Sequence, residues 1–548
     1  MTNQTYRQIY LWGDKRASSL DSHTLEFLEQ YFGTDRKRQR EIADAIRAEV
    51  PVNLPPGKLD QKHQQFFQQL LGERNVQTDG YSRATHALGK FYGDLLNLKQ
   101  QAVPYPPDAV LYPETHRHVQ QILDYCHEHR VPVVPFGGGS SVTRALEARQ
   151  GGVCIDLSKH LNQVLHFSQE NHTVRVQAGI MGPKLEEYLN ARGYTCGHFP
   201  QSFEFSTVGG WIAARGAGQC STGYGRAEDL MQAIQVATPI GTHNSRDYPA
   251  CAQGWDLNRL FAGSEGVLGV ITEVTWRVFK LRPENRQRNS FVFRDFPSAA
   301  QAMREMIQGE IGKPHLFRIS DGQETLFGFK HQGFEGTWKD RLLKWLGYHP
   351  PDRSTMLMMV EGDLAAAQCT AKRVKSIAKR HGALVAGKSP IDKWLQQRFE
   401  SSYLRDAFMD AGYMIDTMET AVTWDRLIPL WTDLHQLFES HRGKLFGMSH
   451  ISHVYETGCN LYAIFFAPMK GLPAKQELSE FLELQRSIIA TFVENGGSIS
   501  HHHGVGRMGM DFMHTQFDPT GLKMLRGIKQ CFDPHAIMNP GGTLGLDS

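Results

Sequence analysis

Three consecutive histidines, His501, His502 and His503, are the most concentrated chemical groups in this chain. Imidazoles titrate near neutral pH, so they can carry protons or donate hydrogen bonds to a developing oxyanion. In an extended segment, His501 and His503 share one face and His502 points to the other. A metal site is the rival interpretation, yet no neighbouring cysteine or carboxylate pair completes a ligand set, so we expect no metal. An ordinary polar loop is the third interpretation.

Tyr455 precedes a turn at residues 456–458 and the apolar run Asn460 to Ala467, which predicts a strand. Its ring is therefore expected at the mouth of a buried site. A phenol with a lowered pKa can act as an acid or a base. Most tyrosines at strand ends are amphipathic packing residues, which is the alternative.

Two arginines, Arg318 and Arg405, are each followed closely by an aspartate, Asp321 and Asp406. This spacing is compatible with structural ion pairs. The planar guanidinium is also the side chain best suited to bind a phosphate or a carboxylate. The residues alone leave both interpretations open.

Three glycine-rich segments recur between residues 133 and 272. Because glycine has no Cβ, backbone N–H groups can converge on an anion, and serine hydroxyls add donors. The pattern matches neither the dinucleotide fingerprint nor the P-loop. We expect one elongated, phosphate-bearing ligand to meet all three segments, with tight β-turns as the alternative. The residues expected at this ligand are Pro135, Phe136, Gly137, Gly138, Gly139, Ser140, Ser141, Val142, Ser206, Thr207, Gly209, Gly210, Glu265, Gly266, Gly269, Val270 and Ile271.

An α+β scaffold must position these groups. Hydrophobic periodicity predicts a helical region over 1–100, interrupted at Pro51 to Gly57, and mixed strands and helices over 101–283 and 284–495. Loops around one helix follow over 496–548. The predicted helices are His23–Phe32, Arg36–Arg47, Gln61–Leu71, Pro297–Ile307, Leu364–His381 and Trp424–His441. The predicted strands are Ala109–Leu111, Val131–Phe136, Gly152–Leu157, Thr173–Ala178, Gly269–Val278, Met356–Glu361 and Asn460–Ala467.

Composition bounds the function. The chain has 548 residues with 41% hydrophobic side chains, which indicates several folded domains. Its 59 basic and 57 acidic residues give a net charge of +2, so no long-range field favours nucleic acid. The eight cysteines are scattered and reduced, and no apolar run is long enough to cross a bilayer. We expect a cytoplasmic protein.

The three glycine-rich segments, in this order, resemble the FAD-binding domain of the vanillyl-alcohol oxidase and p-cresol methylhydroxylase superfamily. The resemblance rests on Pro135–Val142, Ser206–Gly210 and Gly263–Thr272. It implies FAD as cofactor, with the diphosphate on the first segment and the isoalloxazine beside the later ones. Region 101–283 then becomes a p-cresol methylhydroxylase-type FAD-binding domain, 284–495 an α/β cap that binds substrate, and 496–548 a segment returning to the active site. No tethering histidine is evident at the first segment, so we expect noncovalent FAD.

Within this superfamily the chain is most similar to the alkyldihydroxyacetonephosphate (alkylglycerone-phosphate) synthase family. The similarity runs from about residue 80 to near the C-terminus. The shared elements are Gly197–His198, Phe203–Trp211, Phe317–Asp321, Tyr403–Asp406, Met418–Thr420, Trp424–Arg426, Tyr455–Gly458 and Gly497–Gly506.

This resemblance implies roles for the reactive residues. Tyr455 matches the catalytic tyrosine, His501–His503 the active-site histidine run, Arg405 the substrate-phosphate ligand and Arg318 a second functional arginine. The implied reaction is a redox-neutral exchange of the acyl chain of acyl-dihydroxyacetone phosphate for a long-chain alcohol, as in ether lipid synthesis. The implied partner is a small lipid or phosphate ester. A peripheral membrane contact and a homodimer are compatible with it, although no amphipathic basic helix is evident.

Three departures from the family pattern point to an alternative. Phe199 and Gln201 replace two carboxylates after Gly197–His198, and Ala421 replaces a serine. Loss of these polar groups favours an FAD-linked oxidoreductase, which oxidises a 2-hydroxy acid or a polyol phosphate and passes electrons to a quinone or a carrier protein. In that case the arginines hold the anion, and Tyr455 with a histidine takes the hydroxyl proton.

Overall fold

The computed structural model describes residues 4–11, 19–47 and 49–546. The predicted terminal regions therefore include residues 1–3, 12–18, 48 and 547–548, which lie outside the described residues. Within the described residues, the α+β class is confirmed, since helices accompany two large sheets whose strand pairs are antiparallel.

The N-terminal region is helical, as predicted. Asp21, Asp35 and Asp79 each accept a backbone N–H of the first turn of the helix that follows, which fixes where those helices begin. Residues 51–57 contain no helix, because proline and glycine interrupt it. The elements are α1 Tyr6–Tyr10, α2 Ser22–Phe32, α3 Arg36–Ala45, α4 Gln61–Leu71, β1 Val76–Gln77, α5 Gly80–Thr85 and α6 Tyr92–Lys99.

The next region carries two main sheets. One has the order β1-β2-β4-β3, in which β2 and β3 run parallel to β4, and the other is antiparallel with the order β5-β6-β10-β8-β9. The strands are β2 Ala109–Leu111, β3 Val133–Phe136, β4 Val153–Asp156, β5 Val164–Ser168, β6 Thr173–Gln177, β7 Tyr194–Thr195, β8 Met231–Thr238, β9 Gly241–Asn244, β10 Val270–Arg277 and β11 Phe279–Lys280. The helices are α7 His116–His129, α8 Gly182–Asn190, α9 Val208–Ala213, α10 Ser221–Tyr224, α11 Ala227–Leu230 and α12 Asn258–Phe261.

A large antiparallel sheet forms the following region, with the order β15-β12-β14-β13-β17-β19-β16 and β18 paired to β19. The chain passes to this sheet between Lys280 and Gln287. The strands are β12 Gln287–Phe293, β13 Leu316–Ser320, β14 Ser354–Val360, β15 Leu384–Gly387, β16 Tyr413–Thr423, β17 Phe446–Ile451, β18 Val454–Tyr455 and β19 Gly458–Pro468. The helices are α13 Phe296–Gln308, α14 Gly322–His331, α15 Trp338–Trp345, α16 Leu364–Arg380, α17 Ser389–Gln397, α18 Leu404–Asp410, α19 Trp424–Ser440 and α20 Ala474–Glu494.

The C-terminal segment contains α21 Gly506–Gly509, α22 Met513–Gln516 and α23 Pro519–Phe532, so two single-turn helices accompany the one helix expected. After α23 the chain runs beside β3. The backbone N–H of Val133 donates to the carbonyl of Ile537 at 2.8 Å, and the N–H of Asn539 donates to the carbonyl of Val133 at 2.7 Å. Among the described helices, none combines the length and the apolar character needed to cross a membrane.

Candidate active site

The first two glycine-rich segments are in direct contact, because their glycines have no side chain. A Cβ on Gly137 would lie 2.4 Å from Oγ1 of Thr207, and a Cβ on Gly138 would lie 1.7 Å from the carbonyl oxygen of Phe205. Both distances are shorter than any side chain tolerates, so only glycine allows this approach. The two predicted segments therefore build one surface.

The rest of the first segment is held by the backbone. Its first two residues, Pro135 and Phe136, end β3, and Gly139 follows with a φ of +68°, which favours glycine. The carbonyl of Ser141 accepts the backbone N–H of Lys90 at 2.7 Å. The half-buried neighbours on either side of this serine are Ser140 and Val142. The segment is thus fixed at both ends.

The second segment begins a short helix. Oγ1 of Thr207 accepts the backbone N–H of Gly210 at 3.2 Å, which caps α9, and Gly209 is buried in that helix. Oγ of Ser206 accepts the indole N–H of Trp211 at 2.7 Å. These bonds fix the backbone that faces the first segment.

The third segment packs on the first and ties it to the C-terminal segment. A Cβ on Gly266 would lie 2.9 Å from Cγ of Pro135. The carboxylate of Glu265 accepts the backbone N–H groups of Val505 at 2.5 Å and Gly506 at 2.9 Å. Burial raises the pKa of Glu265 to about 7. This carboxylate therefore holds the C-terminal segment in place.

The last three residues predicted for this segment belong to the sheet. Gly269 has a φ of +158°, and a Cβ there would lie 2.5 Å from the carbonyl oxygen of Ala237. Val270 and Ile271 are buried in β10, which pairs with β8. They shape the strand beneath the segment.

A buried histidine beside the second segment fits a polar cofactor. Both ring nitrogens of His198 are buried without a hydrogen-bond partner among the described residues, and its ring centroid lies 4.7 Å from that of Trp211. Burial, with a smaller contribution from the nearby His502, lowers the pKa of His198 to about 3. A buried polar group without a partner is costly unless a ligand satisfies it. The touching glycine segments and His198 thus form a surface that fits FAD.

The predicted catalytic tyrosine and histidine run meet in the structure. The hydroxyl of Tyr455 on β18 lies 2.6 Å from Nε2 of His501. Burial raises the pKa of Tyr455 above its ordinary value, so this phenol lacks the lowered pKa that would make it a free base. Burial also lowers the pKa of His501 well below 6.5, and His502 adds to that effect. The pair is therefore a neutral phenol beside a neutral imidazole.

The histidine run curls around a buried carboxylate. Oε1 of Glu419, on β16, accepts the backbone N–H groups of His501, His502 and His503, each at 3.0 Å, and the hydroxyl of Ser500 at 2.7 Å. Burial would raise the pKa of Glu419, but the imidazole of His502 outweighs it and holds the pKa well below its ordinary value. One carboxylate thus organises the whole run.

This curl makes the extended geometry expected for the histidines wrong. Instead of pointing to opposite faces, His501 and His502 approach with their Nδ1 atoms 2.9 Å apart. Nδ1 of His502 also lies 3.3 Å from Oε2 of Glu419. The physical reason is that three successive N–H groups can reach one oxygen only from a bent backbone. Burial lowers the pKa of His503 to about 3.

A fourth histidine, His453, completes the cluster. Its ring stacks on that of His501 with centroids 5.1 Å apart, and its Nδ1 lies 2.7 Å from Oγ of Ser221, at the start of α10. Ring nitrogens of His453, His501 and His502 lie within 4.8 Å of one another, a spacing that could hold a metal ion. The contact with Ser221 joins the cap to the FAD-binding domain at this cluster.

The two predicted substrate arginines lie beside the cluster, but their acidic partners differ from those expected. Nη2 of Arg318 contacts Glu324 at 2.6 Å and Nδ1 of His450 at 2.9 Å. Asp321 instead caps α14 through the N–H of Glu324 and accepts from Ser449. Successive side chains of a strand point to opposite faces of the sheet, so Arg318 on β13 does not meet Asp321, three positions later.

Arg405, on α18, bonds to β16. Its Nη2 donates to Asp416 at 2.8 Å, its Nε donates to the carbonyl of Ile415 at 3.3 Å, and its Nη1 donates to the carbonyl of Lys90. Its charge also acts on His503 and lowers the pKa of that ring. The aspartate that follows it in sequence, Asp406, is buried and is not its partner.

Sequence reasoning missed four members of this site. The missed residues are Glu419, His453, Tyr462 and His198, although Glu419 and His198 lie within family elements. Tyr462 stacks on His450 with centroids 4.6 Å apart and on His502 at 5.8 Å. It therefore connects the Arg318 side of the site to the histidine run. In the sequence, the one signal for Tyr462 is its position as a polar-tipped side chain among the apolar residues of β19.

Two family models match the chain. The FAD binding domain matches residues 107–245, and the model described as FAD linked oxidases, C-terminal domain, matches residues 282–543. The chain of p-cresol methylhydroxylase, with substrate bound, matches with a TM-score of 0.68 at 15% identity and covers 90% of this chain and 99% of its own. This likeness confirms the predicted fold.

Relatives with higher identity narrow the family. Alkyldihydroxyacetonephosphate synthase of Trypanosoma brucei brucei is 30% identical over 91% of this chain and 83% of its own length, and that of Dictyostelium discoideum is 31% identical over 85% and 78%. An uncharacterized FAD-linked oxidoreductase of Escherichia coli (strain K12) is 26% identical over 87% and 96%. A solved alkyldihydroxyacetonephosphate synthase has a TM-score of 0.78 at 27% identity and covers 90% of this chain and 87% of its own. The chain belongs to the alkyldihydroxyacetonephosphate synthase family.

Proposed function

We propose that this protein is an FAD-dependent enzyme that exchanges the acyl chain of acyl-dihydroxyacetone phosphate for a long-chain alcohol. The observation that carries the proposal is the buried pair of Tyr455 and His501, 2.6 Å apart, within a cluster that two arginines border. Family membership supports the same chemistry. FAD, when bound at the glycine-rich segments, would supply an electrophilic isoalloxazine ring to the reaction.

The proton route follows from the pair. Oη of Tyr455 takes the proton from C1 of the substrate while its own proton moves to Nε2 of His501. The imidazolium that forms is stabilised by the carboxylate of Glu419, whose Oε2 lies 4.0 Å from Nδ1 of His501. His502, with Nδ1 2.9 Å away, can share the proton. No free phenolate is required before substrate binds, which agrees with the raised pKa of Tyr455.

The substrate phosphate is assigned to the two arginines. A guanidinium has five N–H donors, and three of those on Arg405 meet protein acceptors. We assign the remaining donors of Arg405, and those of Arg318 that do not contact Glu324 or His450, to the phosphate oxygens.

Noncovalent binding of FAD is part of the proposal. His86 packs against Phe136 of the first segment, with ring centroids 4.4 Å apart. Its Nδ1 lies 2.7 Å from the carbonyl of Ser82, and its Nε2 lies 3.0 Å from Asp156. Because both nitrogens have partners, this ring is not available to bond a flavin. Acid precipitation of the protein should release all the yellow cofactor into the supernatant.

A peripheral membrane contact is supported by α15. Trp338 and Trp345 are 65% and 80% exposed, and with Leu342 they share one face at helical spacing. Basic Lys339 and Arg341 flank that face. Apolar and basic positions interleave over the eight residues of α15, a stretch too short to stand out in the sequence. The homodimer and the cytoplasmic location stay predictions, which sedimentation velocity and cell fractionation would check.

An assay without any electron acceptor tests the proposed reaction. The holoenzyme receives acyl-dihydroxyacetone phosphate and a long-chain alcohol under anaerobic conditions, and both products are quantified by mass spectrometry. We expect equal amounts of fatty acid and ether lipid over many turnovers. No ether, together with flavin reduction by a 2-hydroxy acid or a polyol phosphate, would establish the oxidoreductase instead.

A further inference from the structure

A cavity of about 310 Å³ lies between the FAD-binding domain and the cap, lined by neither Tyr455 nor the histidine run. Its apolar wall includes Phe199, Met359 and Leu395. We call it the Arg398 pocket, after the arginine that forms part of its opposite wall. Nothing in the proposed reaction uses this space.

The Arg398 pocket contains more basic than acidic side chains. Arg288 pairs with Asp392 at 2.8 Å, and a second arginine, Arg286, forms an ion pair with Glu361. Arg398 has no carboxylate within 4.0 Å among the residues that the structure describes. The three arginines and two acids leave one positive charge without an acidic partner inside a partly apolar cavity.

Within the described part of the chain, the guanidinium of Arg398 is held by aromatic rings and not by an acid. The guanidinium of Arg398 lies over the rings of Phe199 and Phe399, 4.6 Å and 4.7 Å from their centroids. Nε2 of Gln201 donates to the carbonyl oxygen of Arg398 at 2.7 Å. Phe199 therefore contacts the guanidinium of Arg398 and Gln201 contacts its backbone, and neither side chain can neutralise the charge.

We propose that the Arg398 pocket binds an organic oxyanion that carries an aliphatic chain, as a carboxylate or a phosphate monoester. The oxyanion pairs with Arg398 and accepts from Nε of Arg288, which is buried without a hydrogen-bond partner among the described residues. The chain lies against Met359 and Leu395. This binding goes beyond the exchange reaction and does not depend on it.

Calorimetric titration of the FAD-loaded enzyme tests the pocket, with decanoate, decyl phosphate and inorganic phosphate as probes. We expect decanoate or decyl phosphate to bind at one site at least tenfold more tightly than inorganic phosphate. Tighter binding of decanoate would identify a carboxylate ligand, and tighter binding of decyl phosphate would identify a phosphate monoester. Equal affinity for inorganic phosphate would overturn the aliphatic part of the proposal.

Variants locate the site. Phe199→Glu places an acid beneath Arg398, and we expect at least a tenfold loss of affinity, as for Arg398→Gln. Phe199→Gln has the same size without the charge and should bind within threefold of the parent. Arg192→Gln is the matched control, since Arg192 also stacks on a ring, that of Tyr188 at 3.7 Å, without lining the pocket.

Flavin absorbance and melting temperature show whether each variant is folded. If Arg398→Gln does not fold, the Phe199→Glu and Phe199→Gln pair decides the question, because the two differ only in charge. Equal affinity of that pair would overturn the proposal. A loss of affinity in Arg192→Gln as large as in Arg398→Gln would overturn it too.

Discussion

At the scale of single residues, the site depends on two short contacts that share His501. Its Nε2 lies 2.6 Å from the hydroxyl of Tyr455, and its Nδ1 lies 2.9 Å from Nδ1 of His502. A ring with both nitrogens engaged has its orientation and tautomer fixed by its neighbours. Proton transfer through this ring therefore needs no rearrangement of side chains.

Replacement of Tyr455 by phenylalanine removes only the hydroxyl. We expect kcat for ether formation to fall by roughly 100-fold to 10,000-fold, the usual contribution of a positioned acid or base. FAD should stay bound, because the glycine-rich segments do not contact this ring. Steady-state assays and the flavin spectrum measure both effects. Tyr188→Phe, on α8, is the control and should keep its activity, whereas full activity in Tyr455→Phe would contradict the role.

Replacement of Glu419 by glutamine tests the carboxylate that organises the histidine run. An amide nitrogen cannot accept the N–H groups that meet this side chain, so we expect the free energy of unfolding to fall by about 2 kcal/mol. Urea denaturation of the holoenzyme measures it. Glu480→Gln, at a surface pair with Lys470, should change stability by less than about 0.5 kcal/mol. Equal losses of stability in Glu419→Gln and Glu480→Gln would contradict the role of Glu419 in holding the histidine run.

At the scale of elements, β16 and β19 bring distant residues into one site. Their antiparallel register places Glu419 opposite Tyr462, and the hairpin from β18 brings in Tyr455. The C-terminal segment, more than thirty residues later, supplies the histidines, whose backbone N–H groups Glu419 accepts, while Glu265 accepts the N–H of Val505 in the same segment. The site is thus assembled from segments that are distant in sequence.

Local sequence patterns predicted the bounds of helices and strands better than they predicted which side chains contact one another. Strands such as Ala109–Leu111 and helices such as Gln61–Leu71 have the predicted bounds, because their hydrophobic periodicity is uninterrupted. The resemblance also brought Tyr455 and the histidines together. The partners of Arg318 and Arg405 could not be predicted, since Glu324 and Asp416 reach them through sheet register and helix packing, not through sequence proximity.

The helix α15 carries a prediction at this scale. Exchange of both Trp338 and Trp345 for serine removes the large exposed rings, so we expect vesicle binding to weaken by about tenfold or more. Cosedimentation with vesicles that contain anionic lipid measures the effect. Trp255→Ser is the matched control, because Trp255 is 89% exposed and lies in a loop outside α15. If the double variant binds like the parent, α15 is not the membrane contact.

At the scale of the whole molecule, buried neutral histidines couple stability to pH. Burial lowers the pKa of His198 and of His503 to about 3, against 6.5 for an ordinary histidine. Below pH 6.5 the unfolded chain binds protons at these rings while the folded chain does not. Stability is therefore fully present above pH 6.5 and is lost as the pH falls towards 3.

We expect each such ring to lower the free energy of unfolding by up to about 1.4 kcal/mol per pH unit as the pH falls from 6.5 towards 4, whereas Glu265, whose pKa burial raises to about 7, acts in the opposite direction. Urea denaturation at a series of pH values measures the slope. His503→Asn should reduce that slope, whereas exposed His23→Asn should leave it unchanged. An unchanged pH dependence of stability in His503→Asn would contradict the assignment of a neutral buried ring at this position.

The central claim is that the pair of Tyr455 and His501 moves a C1 proton during a redox-neutral exchange. Ether formation in D₂O, followed by mass spectrometry of the product, tests it most directly. We predict deuterium at C1 of the ether made by the parent enzyme and negligible ether from Tyr455→Phe. Ether that keeps all its C1 hydrogen, or an oxidised product in its place, would contradict the account.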